Sequence, residues 1–213
     1  MESLNPDTCY NIYNHANGFE NVFNERENYR YFLEKYQEYI GPIAETYSYC
    51  LMPNHFHLVV RMRKREVIEE IIAVRNFSKV DSSEKVDLNE LHITDEDIEK
   101  FLSKQFSNLF SSYTQSYNKY LKRMGSLFIK NFKREPLFEK EHFINEIMYT
   151  HRNPVHHGFR IDYDDWEFSS YYDIASGRSE LVEVDKLLKV FGGKEQFIAL
   201  HSEYLKDWKS KFI

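Results

Sequence analysis

The pattern of apolar and polar positions up to residue 62 predicts a strand, a helix and two further strands. Residues 27–39 repeat aromatic side chains at helical spacing. Three short runs are rich in the aromatic and β-branched residues that strands favour: residues 8–13, 44–51 and 55–62. A turn signal, Met52-Pro53-Asn54, separates the last two runs, so they are predicted to pair as an antiparallel hairpin.

The middle of the chain is predicted to contain an insertion followed by a long helix. The segment from about residue 78 to residue 95 is polar and acidic, which indicates an exposed insertion. Thr94 and Asp97 have the spacing of a capping box, so a helix is predicted to begin there and to run to about Lys122. Residues 125–132 are predicted to form a short strand or a loop.

The last part of the chain is predicted to be helical. Residues 141–152 form a helix that Asn153-Pro154 is predicted to end, and Gly192-Gly193 breaks the remainder. Because strands and helices alternate while the hairpin is antiparallel, we expect an α+β fold of the ferredoxin-like or RRM-like kind, with helices packed on an antiparallel sheet. We expect one domain over residues 1–175 and a helical C-terminal extension over residues 176–213.

Charge is distributed unevenly along a chain whose formal net charge is −6. No acidic residue occurs between Phe101 and Arg134, where basic and aromatic residues are interleaved. Basic groups that attract phosphate, together with rings that stack on bases, favour single-stranded nucleic acid. An amphipathic helix with core aromatics and solvated lysines would give the same pattern. The candidates for DNA contact, including one arginine farther along, are Lys119, Lys122, Arg123, Lys130, Lys133, Arg134 and Arg152.

Hydropathy and the cysteines bear on cellular location. No apolar stretch approaches the roughly 20 residues that cross a bilayer, so we expect no membrane partner. Cys9 and Cys50 lie far apart without a metal-type spacing. We therefore expect reduced thiols in a cytoplasmic protein.

The run His55-Phe56-His57 places two histidines within one predicted strand. Alternate residues of a strand share a face, so both imidazoles would leave the same side from Cα atoms roughly 6.6 Å apart, while Phe56 and Leu58 would face the core. Two imidazoles placed in this way can converge on one divalent ion. The alternative is that both are polar residues on a solvent-facing sheet surface.

Five segments, taken in chain order, are similar to segments of one known family. They are YNIYNHANGFENVFNERENYRYFLEKY (10–36), YCLMPNHFHLVV (49–60), GSLFIKNFKRE (125–135), YTHRNPVHHGF (149–159) and WEFSSY (166–171). The resemblance is to the single-tyrosine HUH transposases, and more narrowly to their REP-associated tyrosine transposase branch. The second segment resembles the HUH signature, in which a bulky hydrophobic residue separates two histidines.

This resemblance implies a metal-dependent DNA endonuclease and strand transferase that acts on single-stranded or hairpin DNA through a 5′-phosphotyrosine intermediate. Tyr149 would be the nucleophile, and His55, His57 and Asn153 would hold a divalent ion, Mg²⁺ or Mn²⁺. Asn145, Tyr149 and Asn153 are spaced four residues apart, which places them on one stripe of a helix. An asparagine before proline is also an ordinary helix-ending residue. Members of the family occur as dimers and as monomers, so a homodimer stays open.

Other tyrosines and histidines compete for these roles. Tyr113, Tyr117 and Tyr120 lie in the basic helix, where they are expected to stack on bases or to fill the core. His156 and His157 are expected to contact phosphate or solvent rather than to enlarge a metal cluster.

Two alternatives differ in class from a transposase. One is a non-catalytic module that binds single-stranded nucleic acid on the same fold. The other is a different HUH enzyme, a replication initiator or relaxase. The chain has no phosphate-binding Gly-x-x-x-x-Gly-Lys-Ser/Thr motif, so no nucleoside triphosphate is expected as a partner.

Overall fold

The computed structural model describes residues 2–77 and 92–212. Its centre is a four-stranded antiparallel sheet in the order β2-β3-β1-β4. The strands are β1 (Cys9–His15), β2 (Ala44–Met52), β3 (His55–Met62) and β4 (Lys133–Pro136). The helices are α1 (Arg26–Tyr39), α2 (Arg65–Phe77), α3 (Asp95–Leu121), α4 (Lys140–His156), α5 (Tyr171–Ser176), α6 (Val184–Phe191) and α7 (Lys194–Phe212).

The order of these elements confirms the predicted α+β fold. A strand, a helix and a hairpin are followed by helices and a fourth strand, and β1 and β3 lie at the centre of the sheet. This is the ferredoxin-like arrangement, with helices packed on an antiparallel sheet. Helices α5, α6 and α7 follow, as expected for a helical C-terminal extension. The division of the chain at residue 175 stays a prediction.

The face of the sheet that lies under α1 and α3 is an aromatic core. Phe56 of β3 packs against Phe32 of α1 and Phe110 of α3, with ring centroids 5.2 Å and 5.7 Å away. Tyr113 of α3 donates its hydroxyl to the backbone carbonyl of Val22 at 2.5 Å, so the polar end of this buried ring is satisfied. Burial of such large rings provides the main hydrophobic stabilisation of the domain.

The opposite face of the sheet is polar and lies under α4. Residues that oppose each other in an antiparallel pair share a face, and the register sets Tyr13 against His57 and His15 against His55. On β2, Cys50 lies opposite His57. Helix α4 packs over β2 and β3. The two histidines therefore lie in a layer between the sheet and a helix.

The prediction that Asn153-Pro154 ends helix α4 is wrong, because the helix continues to His156. A proline within a helix cannot donate to the carbonyl one turn before it, here that of Thr150. The side-chain amide of Asn153 donates to this carbonyl at 3.4 Å and to that of Tyr149 at 3.0 Å. The amide thus supplies the hydrogen bond that the proline lacks, and the helix continues.

Other boundaries agree with the sequence predictions only in part: helix α2 was not predicted, and residues 157–170, which were expected to be helical, form turns and loops. The hydroxyl of Thr94 accepts from the backbone N–H of Asp97, whose carboxylate accepts in turn from the N–H of Thr94, so α3 begins with the predicted capping box. Residues 125–132 form a loop, and β4 follows it. Most of the predicted insertion of about 78–95 lies outside the described residues. Within the described parts of the chain, no helix is long and apolar enough to cross a membrane.

Candidate active site

His55 and His57 lie side by side beneath α4, and both are buried. Their relative exposures are 4% and 6%, so the alternative of a solvent-facing pair is wrong. The ring of His57 stacks on that of Tyr13 with centroids 5.3 Å apart and meets the ring of His55 edge-on at 5.6 Å. Strand pairing therefore holds both imidazoles in fixed orientations.

Both imidazoles are neutral at physiological pH. Burial lowers the pKa of His57 to about 3 and that of His55 to about 4, and neighbouring histidines lower both pKa values further. A neutral imidazole has one N–H and one lone pair, and the lone pair is what binds a metal ion.

Each ring nitrogen of His55 lies near an amide oxygen. Nδ1 lies 2.8 Å from Oδ1 of Asn54, whereas Nε2 lies 3.3 Å from Oδ1 of Asn153. The neutral ring has one N–H, and in the tautomer that carries it on Nδ1 this N–H donates to Asn54. The lone pair of Nε2 then faces the amide oxygen of Asn153. Two acceptors that face each other are suited to a cation between them.

The residues present therefore fit a divalent cation, although they form a small ligand set. His55 and Asn153 offer facing acceptor atoms, and Nδ1 of buried His57 has no hydrogen-bond partner in the structure. Imidazole nitrogen and amide oxygen together suit several divalent metals. Within the described residues, no group of three or more His, Cys, Asp or Glu side chains is placed to hold a metal ion. The candidate site thus consists of two imidazoles and one amide.

Tyr149 lies on α4 directly over this pair. Its ring meets that of His57 edge-on, with centroids 5.4 Å apart. Burial raises the pKa of the Tyr149 phenol, Glu146 raises it further, and Arg152 lowers it. The phenol therefore keeps its proton at neutral pH, and a cation beside it would favour the phenolate. Tyr149, His57, His55 and Asn153 are brought together as the sequence predicts.

The competing tyrosines lie elsewhere. Tyr113 and Tyr117 donate their hydroxyls to the backbone carbonyls of Val22 and Asn21, at 2.5 Å and 2.8 Å. The exposed Tyr120 donates to Glu25 at 3.0 Å. These three phenols belong to α3, on the other side of the sheet from the histidines.

Sequence reasoning missed the rings that surround the histidine pair. His15 stacks on His55 with centroids 4.9 Å apart, and exposed His157 meets the same ring edge-on at 4.9 Å. Tyr13 stacks on His57. The alternation of Tyr13 and His15 on β1 was the available signal, but it becomes informative only once the register with β3 is known.

The predicted DNA-contacting residues fall into two groups. Lys119, Lys122, Lys130 and Lys133 are exposed. The arginines are engaged: Arg123 contacts Glu20 and Asn118, Arg134 lies 3.2 Å from Glu99, and Arg152 stacks among aromatic rings of α4 and α7. Lys133 lies opposite Tyr13 in the β1–β4 pair, which places it on the face of the candidate site. Lys119 lies in the last turn of α3, and Lys122 directly follows this helix.

Comparison with known proteins supports the fold. No family model matches the chain, and no curated protein matches it significantly. Among solved structures, a REP-associated tyrosine transposase bound to a REP hairpin is similar, with a TM-score of 0.53, 13% sequence identity and coverage of 87% of each chain. At that identity the likeness shows a shared fold over most of both chains.

Proposed function

We propose that this protein is a metal-dependent DNA endonuclease and strand transferase of the single-tyrosine transposase kind. The observation that supports this most directly is the position of Tyr149 over His57, with His55 and Asn153 facing each other beside it. A nucleophile, two neutral imidazoles and an amide oxygen, brought together from α4 and β3, have the composition that phosphodiester cleavage by tyrosine requires.

Single-stranded or hairpin DNA is the proposed substrate. The similar transposase is bound to a REP hairpin. In the present chain, exposed Lys133 lies on the β4 edge of the site's face, and exposed Lys130 lies in the loop just before it. Lysines so placed would neutralise the phosphates of a strand that enters from this edge.

The proposed reaction is a transesterification. The Tyr149 oxygen attacks the scissile phosphorus and forms a P–O bond, and the bond between phosphorus and the 3′ oxygen breaks. The phenolic proton is lost to solvent, and the departing 3′ oxygen takes up a proton from water. The products are a 5′-phosphotyrosine linkage and a free 3′ hydroxyl, and attack by another 3′ hydroxyl reverses the reaction and joins strands. Because the phosphodiester energy is retained in the linkage, no nucleoside triphosphate is needed.

The residues of the chain hold and orient the reacting groups. His55, His57 and Asn153 would bind the divalent ion, and Nδ1–H of His55 keeps Nε2 free by donating to Asn54. A bound Mg²⁺ or Mn²⁺ would polarise the phosphate and favour the phenolate. Tyr13 stacks on His57 and so fixes the plane of that ring.

A gel assay for the covalent intermediate tests the proposal. The protein is incubated with a 3′-labelled pool of single-stranded hairpins and Mn²⁺ or Mg²⁺, then denatured. We expect a labelled protein–DNA adduct that is absent with Tyr149→Phe, with His57→Ala and with chelator. Tyr13→Phe is the matched control, because it removes a neighbouring phenol and keeps the ring. Binding of the pool without an adduct in either metal would instead favour a non-catalytic single-strand binding module.

A further inference from the structure

Arg152 lies one helical turn after Tyr149, inside a cluster of aromatic rings. The centre of its guanidinium is 5.5 Å from the ring centroid of Tyr149, 4.8 Å from that of Tyr204 and 5.5 Å from that of Trp208. The last two rings come from α7, where they are spaced four residues apart and so share one helix face. Two helices thus hold this cation beside the candidate nucleophile.

The guanidinium of Arg152 has no anionic partner among the described residues, since none of their carboxylates forms an ion pair with it. Its Nε is buried and has no hydrogen-bond partner. Several other arginines form ion pairs, for example Arg61 with Asp7 at 2.8 Å and Arg65 with Glu69 at 2.9 Å, whereas Arg63 donates to the backbone carbonyl of Gly41. The aromatic rings stabilise this half-buried cation but do not neutralise its charge, so an anion that reaches it would gain a charge-assisted hydrogen bond.

The carboxylate beside the candidate nucleophile is held by other groups. Glu146, one turn before Tyr149, accepts from the side-chain amide of Asn11 at 2.9 Å, and the ring of His142 lies 3.9 Å from its other oxygen. These contacts direct Glu146 towards β1 and the start of α4. The guanidinium therefore stays available to a ligand.

Stacking also sets which part of the guanidinium can bind. Rings that pack on a guanidinium cover its faces, whereas the N–H groups along its edge remain able to donate. That edge matches two oxygens of a phosphate, which a guanidinium binds in bidentate fashion. A phosphate attacked by Tyr149 would lie within the reach of this edge.

Helix α7 is fixed in place by buried contacts. His151 Nδ1 of α4 lies 2.9 Å from Nε2 of His201 on α7, and Nδ1 of His201 donates to the carbonyl of Phe197 at 2.8 Å. Leu205 is also buried. The position of Tyr204 and Trp208 is therefore a defined feature of the fold.

We propose that Arg152 is the phosphate-binding residue of the active site and that Tyr204 and Trp208 of α7 are its positioning residues. This inference rests on the proposed function, and it makes the C-terminal helix a part of the active site. Arg152 binds the scissile phosphate before cleavage and the phosphotyrosine after it. The rings of Tyr204 and Trp208 hold its guanidinium in the orientation that binds either phosphate.

Rates of adduct formation under single-turnover conditions test the assignment. We expect Arg152→Gln to slow the reaction by roughly 10²-fold, as does the loss of a donor to a developing negative charge. Arg152→Lys retains charge but not the bidentate edge, so it falls between Arg152→Gln and the wild type. Added methylguanidinium should partly restore Arg152→Ala, a rescue that a structural role would not give.

Paired α7 variants test the positioning residues. Tyr204→Leu with Trp208→Leu should slow adduct formation by about tenfold or more, whereas Tyr204→Phe with Trp208→Phe, which keeps both rings, should stay near the wild-type rate. Lys206→Ala, on an exposed position of α7, is the control. Rates are compared below the melting temperature of each variant. The positioning role would be overturned if the double leucine variant lost rate only in proportion to its loss of folded protein.

Binding is measured separately, so that failure of the chemistry and failure of the anion site can be distinguished. Trp208 is one of 2 tryptophans, and its fluorescence should change when a 5′-phosphorylated oligonucleotide binds in the presence of chelator. Arg152→Gln should abolish this change. An adduct that forms at the wild-type rate without Arg152 overturns the assignment and leaves the proposed function intact. A fluorescence change that depends on Arg152, in a protein that forms no adduct, supports the anion site and counts against the proposed reaction.

Discussion

The two faces of the central sheet differ in how their buried polar atoms are satisfied. Under α1 and α3, the polar ends of the large side chains have partners: Tyr113 donates to Val22, and the hydroxyls of Tyr36 and Thr46 lie 2.7 Å apart. Under α4, several buried polar atoms of the described residues lack a partner. They include Asn11 Oδ1, Ser48 Oγ, His57 Nδ1 and Thr150 Oγ1, and the unsatisfied Nε of Arg152 lies nearby, among rings of α4 and α7.

This difference indicates which face serves stability and which serves chemistry. A buried polar atom without a partner costs about 1–3 kcal/mol, so folded proteins keep few of them. Here several of them lie near a candidate nucleophile. Folded proteins retain such unfavourable features mainly at functional sites. We infer that the aromatic face stabilises the fold and that the α4 face is shaped for a ligand.

The largest expected effect on stability comes from the aromatic face. Phe56→Ala removes a fully buried ring that packs on α1 and α3, and should lower the free energy of unfolding by about 3–5 kcal/mol. Denaturation by urea measures this loss, and Phe56→Leu serves as a milder variant if the first does not fold. The adduct formed per folded molecule should stay unchanged. A drop in adduct at full folding would contradict the division between the faces.

The second-largest expected loss of stability is caused by acid, through buried histidines of α4 and α7. Burial lowers the pKa of His201 to about 4 and that of His151 well below its usual range. In the unfolded chain these histidines take up protons below a pKa of about 6.5, whereas the folded state excludes them. Stability is therefore lost as pH falls from about 6.5 to about 4, by about 3 kcal/mol for His201 alone.

Chemical denaturation across this pH range in the presence of chelator measures the slope. His201→Gln should flatten it, because the buried imidazole is gone. His92→Gln, at an exposed position, should leave it as in the wild type. Equal slopes for the two variants would show that the α4 side does not resist protonation in this way.

Asn153 connects helix stability to the site, and its loss should have an intermediate effect. Asn153→Ala removes donors to the carbonyls of Thr150 and Tyr149, and should cost about 1–3 kcal/mol. Pro154→Ala restores a backbone N–H that can donate to Thr150. The cost of Asn153→Ala should therefore be smaller in the Pro154→Ala background, which a double-mutant cycle measures. Additive costs would mean that the amide does not replace the hydrogen bond that proline lacks.

The sequence predicted the parts of the fold that depend on local pattern. The strands β1, β2 and β3 and helix α1 were predicted because alternating or helical apolar positions define them, and Thr94 predicted the start of α3. Strand β4 was missed because Lys133-Arg134-Glu135-Pro136 has no apolar alternation. Among the described strands it lies at the edge of the sheet, and its four residues are exposed or half-buried, so no apolar pattern marks it in the sequence.

The site was predictable as a set of residues but not as an environment. His55 and His57 share a strand face by period alone, but their burial depends on α4, which lies far along the chain. The continuation of α4 past Pro154 depends on a side-chain hydrogen bond that no pattern shows. The aromatic surroundings of Arg152 depend on the docking of α7. Each of these features is a tertiary contact between distant segments.

The smallest expected change in stability comes from the residue next to Phe56 in the chain. The imidazole of His57 is buried between Tyr13 and Tyr149, and its Nδ1 lacks a hydrogen-bond partner. His57→Leu puts an apolar side chain in its place. Removing an unsatisfied polar group offsets the lost stacking, so the free energy of unfolding should change by less than about 1 kcal/mol. The adduct should nevertheless disappear. Two neighbouring residues of one strand would then have opposite effects, Phe56 on stability and His57 on chemistry, because alternate strand residues face different layers. A large loss of stability in His57→Leu would show that the histidine is a structural residue and would remove the contrast between the two faces.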